Sequence, residues 1–116
     1  MRQVRLCFDV GGTYIKFGVF AQDNTWLSQG KIATPHESKE VFFDALLAKI
    51  VEIEQTATIE GIGLSFPGFI DPEQGVAIMA GALAPIHGCN IIKELQERLI
   101  GDYPIWIEND ARCAAL

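Results

Sequence analysis

The order of apolar segments predicts an α/β fold built on one mixed sheet, with elements running β-β-β-α-β-α-β-α. Three observations carry this expectation. Three apolar runs precede Pro35, joined by links too short for a crossover, which makes them antiparallel neighbours. A segment of helical period then separates the third run from a fourth, the length of connection that a parallel strand requires. A second helical segment and a short apolar strand repeat that pattern toward the end of the chain.

Each element has a local reason. Val4 to Val10 is β-branched and apolar, as a central strand is. Tyr14 to Ala21 is a second strand, closed by the Gln22-Asp23-Asn24 turn. Thr25 to Thr34 reads as a third strand with Gly30 inside it, and Pro35 ends it. Ser38 is placed to cap a helix in which Val41, Phe42, Ala45, Leu46, Ile50 and Ile53 recur on one side through Glu54. Ile59 to Ser65 is the next apolar strand, and Pro67 to Gly75 is rich in turn residues. Asn90 or Ile91 opens a second helix, with Ile92, Leu95, Leu99 and Ile100 on its apolar side and Gly101 as the C′ stop. Pro104 to Ile107 is a short strand, and Asn109 is placed to cap a third helix over Ala111 to Leu116. An apolar helix running into the last residue predicts that residues 1–116 are a piece of something longer.

Composition narrows the function classes. The 116 residues suffice for one domain with a modest core, and 49% of them are hydrophobic, which excludes a disordered chain. A formal charge of −6 argues against nucleic acid as a partner, since phosphate contact needs clustered Lys and Arg. No apolar run approaches the length of a membrane span. Arg2 and Arg5 mimic the start of a secretory signal, but Asp9 interrupts the apolar stretch and no small-residue cleavage site follows. Cys7, Cys89 and Cys113 are odd in number and far apart, so they read as free thiols of a reducing cytoplasm. His36 and His87 are isolated and give a metal site little support.

Three short stretches carry possible chemistry. In Phe8-Asp9-Val10-Gly11-Gly12-Thr13 an apolar strand ends in an acid and a glycine pair. Glycines permit a tight turn and close approach of a ligand to exposed backbone N–H groups, an anion-binding nest. Thr13 adds a hydroxyl donor, and Asp9 offers a hard oxygen ligand suited to Mg²⁺. The alternative is an ordinary hairpin turn beside a solvated acid. Neither GxxxxGK[ST] nor GxGxxG is present. In the second stretch, Ile105 to Leu116, a short strand delivers Glu108, Asn109 and Asp110 to the mouth of a helix, where α/β sheets place ligand groups. A carboxylate there can act as general base and an Asn can grip a hydroxyl; either can also simply cap the helix. In the third, Gly63 to Gly75, Ser65 and Gly68 flank a sharp turn, and Asp71-Pro72 with Gly75 resembles a hairpin turn.

Taken together, DxGGTxxKxG at Asp9 to Gly18, GxSxPGxID at Gly63 to Asp71 and ENDAxxAAL at Glu108 to Leu116 resemble the N-terminal lobe of the ROK family (repressors, open reading frames and kinases) over essentially the whole chain. The resemblance implies the ribonuclease-H-like, actin/hexokinase ATPase fold and an ATP-dependent sugar kinase acting on a hexose or N-acetylhexosamine. It implies Asp110 as catalytic base, with Asn109, Asp110 and Gly68 against the sugar. It implies Gly11, Gly12 and Thr13 along the ATP phosphates and Asp9 beside Mg²⁺. Lys16 also matches a family position, though strand alternation turns it toward solvent. The expected assembly is a cytoplasmic homo-oligomer, a dimer.

The sequence departs from the family at one point. Many members carry an Asn-Leu-Pro run whose Asn contacts sugar; here the matching segment is Gly81 to Asn90 and the matching position Ala82. His87 or Asn90 would replace that contact, or His87 is a plain loop histidine. The family's structural zinc motif and second lobe would fall after Leu116. Two other classes share the fold: a sugar-responsive transcriptional regulator, which would carry a DNA-binding segment ahead of the first strand, and a non-catalytic actin-like scaffold.

Overall fold

The computed structural model describes residues 2–23, 25–65, 69–71, 76–78, 89–99, 101 and 103–108. Strand β1 (Arg2–Val10) turns directly into β2 (Tyr14–Ala21), and β2 into β3 (Trp26–Ala33). Helix α1 (Lys39–Glu54) leads to β4 (Ala57–Ser65). The short strands β5 (Phe69–Asp71) and β6 (Val76–Ile78) follow, then helix α2 (Ile91–Arg98) and β7 (Ile105–Glu108).

Five strands share one sheet in the order β3-β2-β1-β4-β7. The first three form the expected antiparallel meander, and β4 and β7 join β1 in parallel. Both crossovers, through α1 and through α2, advance in the same direction across the sheet. Right-handed connections therefore put both helices on one face. The core confirms it: Val4, Leu6, Phe8 and Val10 alternate out of β1 against Phe42, Phe43, Leu46 and Ile50 of α1 and Ile91 and Leu95 of α2. Each fully buried side chain of this size stabilises the fold by about 1.5–3 kcal/mol.

Local chemistry sets the boundaries. The Ser38 hydroxyl accepts a hydrogen bond from the Val41 N–H at 3.2 Å, and α1 starts at the next residue. Asn90 caps α2 in the same way, its side-chain oxygen accepting from the Lys93 N–H at 3.1 Å.

Three expectations need correction. The segment read as a turn-rich loop contains a strand, β5, which ends at Asp71 and pairs antiparallel with β6 as a second small sheet, so the described order is β-β-β-α-β-β-β-α-β; Pro72 to Gly75 lie outside the described residues. Arms of three residues are too short for alternation to reveal. Helix α2 ends at Arg98 rather than running to a Gly101 stop. Leu99 leaves the helix in extended conformation, and its side chain packs on the core. The buried side of α2 is set by Ile91 and Leu95, while Ile92 is half-buried. The expected third helix, Ala111 to Leu116, lies outside the described residues, as does Ile100.

Candidate active site

The turn between β1 and β2 is the best-defined part of the site. Its strands are in register up to Val10 opposite Ile15, and the Gly11 N–H then donates to the Tyr14 carbonyl at 2.9 Å. A Cβ at Gly11 would stand 2.9 Å from that same carbonyl oxygen, so the tight closure requires glycine. Gly12 and Thr13 are exposed at the tip, and Gly11 is half-buried. The end of β3 supports the turn from beneath. Thr34 is buried; its hydroxyl donates to the Gly11 carbonyl at 2.8 Å and its N–H to the Thr13 carbonyl at 2.9 Å.

Asp9 lies one residue before the end of β1, half-exposed, on the face opposite the helices. The sheet register aligns it with Lys16 on β2 and Ser65 on β4. Lys16 aligns in turn with Lys31 on β3, and Ser65 with Glu108 on β7. One row, Lys31–Lys16–Asp9–Ser65–Glu108, thus crosses all five strands at the carboxyl ends of β1, β4 and β7. In open α/β sheets that edge is where ligands bind.

Beside Lys31, Lys16 and Asp9 of this row is a hollow of about 400 Å³, bordered also by Gly18, Trp26 and Gln29. A Cβ at Gly18 would lie 2.5 Å from the Trp26 ring, so this glycine lets the indole settle on the sheet beside Phe20, ring centroids 4.3 Å apart. The Lys31 ammonium sits 4.2 Å from the centre of the Tyr14 ring. Lys16 is exposed, as alternation implies, and it borders the same hollow as Asp9.

The structure therefore brings Asp9, Gly11, Gly12 and Thr13 together at one corner. Gly68, Asn109 and Asp110 lie outside the described residues, and so do Ala82 and His87. The Asn90 side-chain oxygen is engaged in capping α2. The described residues contain no group of three or more His, Cys, Asp or Glu able to hold a metal, and no helix long and apolar enough to cross a membrane. Cys7 is buried and Cys89 half-buried, and Cys113 lies outside the described residues.

Sequence reasoning missed Thr34, which it read only as the end of a strand. The signal was available in the meander: once Tyr14 pairs with Ala33, Thr34 must come beside Thr13.

A mixed sheet of this order, with a glycine turn after an acid-ended first strand, defines an α/β protein of the ribonuclease-H-like, actin/hexokinase type. The family model of the ROK family matches residues 5–116, and the chain belongs to that family. It is 34% identical over 110 residues to the N-acetyl-D-glucosamine kinase of Salmonella gallinarum, covering 94% of this chain and 35% of that protein. Among solved structures it resembles a ROK family glucokinase from Streptomyces griseus in complex with glucose and AMPPNP. The TM-score there is 0.80 at 27% identity, over 97% of this chain and 35% of the other. A ROK family transcriptional regulator, a homologue of the E. coli MLC protein, shares the fold with a TM-score of 0.78 at 20% identity, over 99% of this chain and 30% of the other. The chain thus spans about a third of the length of the proteins it matches, 35% of the kinase and 30% of the regulator.

Proposed function

We propose that this chain is the N-terminal lobe, residues 1–116, of a cytoplasmic, homodimeric, ATP-dependent sugar kinase acting on a hexose or N-acetylhexosamine. The observation that carries the reading is the corner itself. A glycine-tipped turn is anchored by two hydrogen bonds from Thr34, and a carboxylate, Asp9, shares its strand end. The same register row ends on Glu108, the residue immediately before Asn109 and Asp110.

In this reading Gly11, Gly12 and Thr13 receive the ATP phosphates. Small residues let the phosphates approach the backbone, and the Thr13 hydroxyl adds a donor. Asp9 fits Mg²⁺, which is commonly held by one or two carboxylates together with substrate phosphates and water rather than by an all-protein cage. Its half-exposed position beside the turn suits that role. The bound metal would neutralise charge on the phosphates. Asn109 and Gly68 orient the sugar, and Asp110 takes the proton from the attacking hydroxyl. Phosphoryl transfer depends mainly on positioning and charge stabilisation, so few protein groups suffice once both substrates are held. The zinc motif and second lobe of the family would come from residues after Leu116.

The kinase reading is favoured over a regulator because the relative at 34% identity is a sugar kinase, whereas the likeness to the regulator, at 20%, extends to the fold alone. The test is Asp110→Asn in the full-length protein, assayed with ATP against glucose, N-acetylglucosamine and N-acetylmannosamine. The amide keeps the shape and any capping bond but cannot accept the proton. Turnover should fall roughly 10²–10⁴-fold with an unchanged melting temperature. Near-normal turnover would reduce Asp110 to a helix cap.

A further inference from the structure

Thr34 makes two contacts that an ordinary strand-end threonine does not need. Its hydroxyl and its own N–H reach the carbonyls on either side of Gly12, that of Gly11 at 2.8 Å and that of Thr13 at 2.9 Å. Thr34 is 4% exposed, so water does not compete well for the Gly11 carbonyl. A trans peptide is planar, with its C=O and N–H pointing in opposite directions. Drawing the Gly11 carbonyl onto Thr34 therefore turns the Gly12 N–H away from Thr34, at a residue that is itself exposed. A glycine-rich tip has no side chains to hold that plane, and glycine backbone is the most costly to order. The orientation must come from outside the turn, and Thr34 supplies it.

We propose that Thr34 is the positioning residue of this turn: its hydroxyl fixes the Gly11–Gly12 peptide so that the Gly12 N–H faces an anionic ligand, the phosphate groups of ATP. The proposal rests on the reading of the turn as the phosphate site. Thr34 touches no phosphate itself and acts through Gly11. Loss of the hydroxyl leaves the turn its backbone tie to Thr34 but frees one peptide plane, so binding should weaken without disappearing.

The experiment uses the full-length protein and compares Thr34→Val, which keeps the branched shape and removes the hydroxyl, with Thr34→Ser, which keeps the hydroxyl. A non-hydrolysable ATP analogue is titrated by calorimetry, and KM values for ATP and for the sugar are measured separately. For Thr34→Val the analogue's Kd and the KM for ATP should rise about three- to tenfold, the range of one lost hydrogen bond, while the sugar's KM holds. Thr34→Ser should return both ATP values to within about twofold of the parent. An unchanged analogue Kd in Thr34→Val, or equal weakening in Thr34→Ser, would overturn the proposal, since a purely structural role follows shape rather than the hydroxyl. If Thr34→Val does not fold, Thr34→Ala against Thr34→Ser isolates the hydroxyl by the same criterion. Gly12→Val separates the two levels. If it abolishes analogue binding while Thr34→Val does nothing, only the positioning role fails. If it too leaves the Kd unchanged, the turn is not the phosphate site and both readings fail.

Discussion

Gly11 is the residue at which the backbone leaves least choice. A methyl group added there would press on the Tyr14 carbonyl, and that oxygen cannot swing aside because it accepts the Gly11 N–H. Gly11→Ala is therefore expected to destabilise the protein by about 1–3 kcal/mol, the usual cost of forcing an atom into a filled space. A urea melt of the full-length variant measures it, and an unchanged midpoint would mean that the turn relaxes freely. At this scale the sequence was informative where chemistry is written in residue type. An acid followed by Gly-Gly-Thr at the end of an apolar strand already marks a corner that can take an anion and a cation. It was silent about Thr34, because a hydroxyl's partner is set by strand register, and register is a property of pairs of strands rather than of any one stretch.

Elements were legible in proportion to their length and punctuation. The 16-residue α1 announced itself by period and by its Ser38 cap, whereas the three-residue arms of the β5–β6 hairpin and the early end of α2 did not. Removing the cap with Ser38→Ala should cost about 1 kcal/mol, read as a lower melting temperature with substrate KM values unchanged. The joint between the two helices was invisible in the sequence, since it pairs residues far apart in the chain. Glu94 on α2 receives Arg98 at 2.8 Å, and Lys39 at the start of α1 at 3.3 Å. The Arg98 guanidinium also lies over the Phe43 ring, 4.9 Å from its centre, tying the pair to the core. The hydrogen bond from Arg98, with Lys39 adding to it against the opposing effect of burial, holds the Glu94 carboxyl below its ordinary value. A carboxylate depressed in the folded state contributes stability that is full above its unfolded pKa and is lost as pH falls through the folded one. Glu94→Gln should thus lower the melting temperature slightly at neutral pH, and the difference from the parent should vanish on acidification below the carboxylate range. A difference that persists at low pH would assign the effect to packing rather than charge.

At the scale of the whole molecule, the described residues cover one face of the sheet with helices and leave the other without such cover. Both helices stack on the side of Val4, Leu6, Phe8 and Val10. All-parallel sheets have both faces covered and antiparallel ones commonly leave one to solvent; this sheet is mixed. On the opposite side Cys7 and Phe20 form only a small buried cluster, Tyr14 is 44% exposed and Trp26 50% exposed, and the hollow opens beside Asp9 and Lys16. Asp9 and Lys16 border that hollow, so the proposed phosphate corner lies on this second face. Relatives are far longer, this chain matching 35% of the kinase's length, and chemistry between two substrates needs both held in attack geometry. Residues 1–116 made alone should therefore bind ATP weakly and show no sugar-dependent ADP release, while the full-length protein turns over the same sugars. They should also self-associate through the exposed Trp26 beside Phe20, visible as a concentration-dependent sedimentation coefficient that Trp26→Gln reduces. A coupled assay on the short chain beside the full-length protein settles the first point. Release of ADP by the short chain at a comparable rate would mean that one wall suffices, and the site would then have to be sought entirely on the face that carries Asp9.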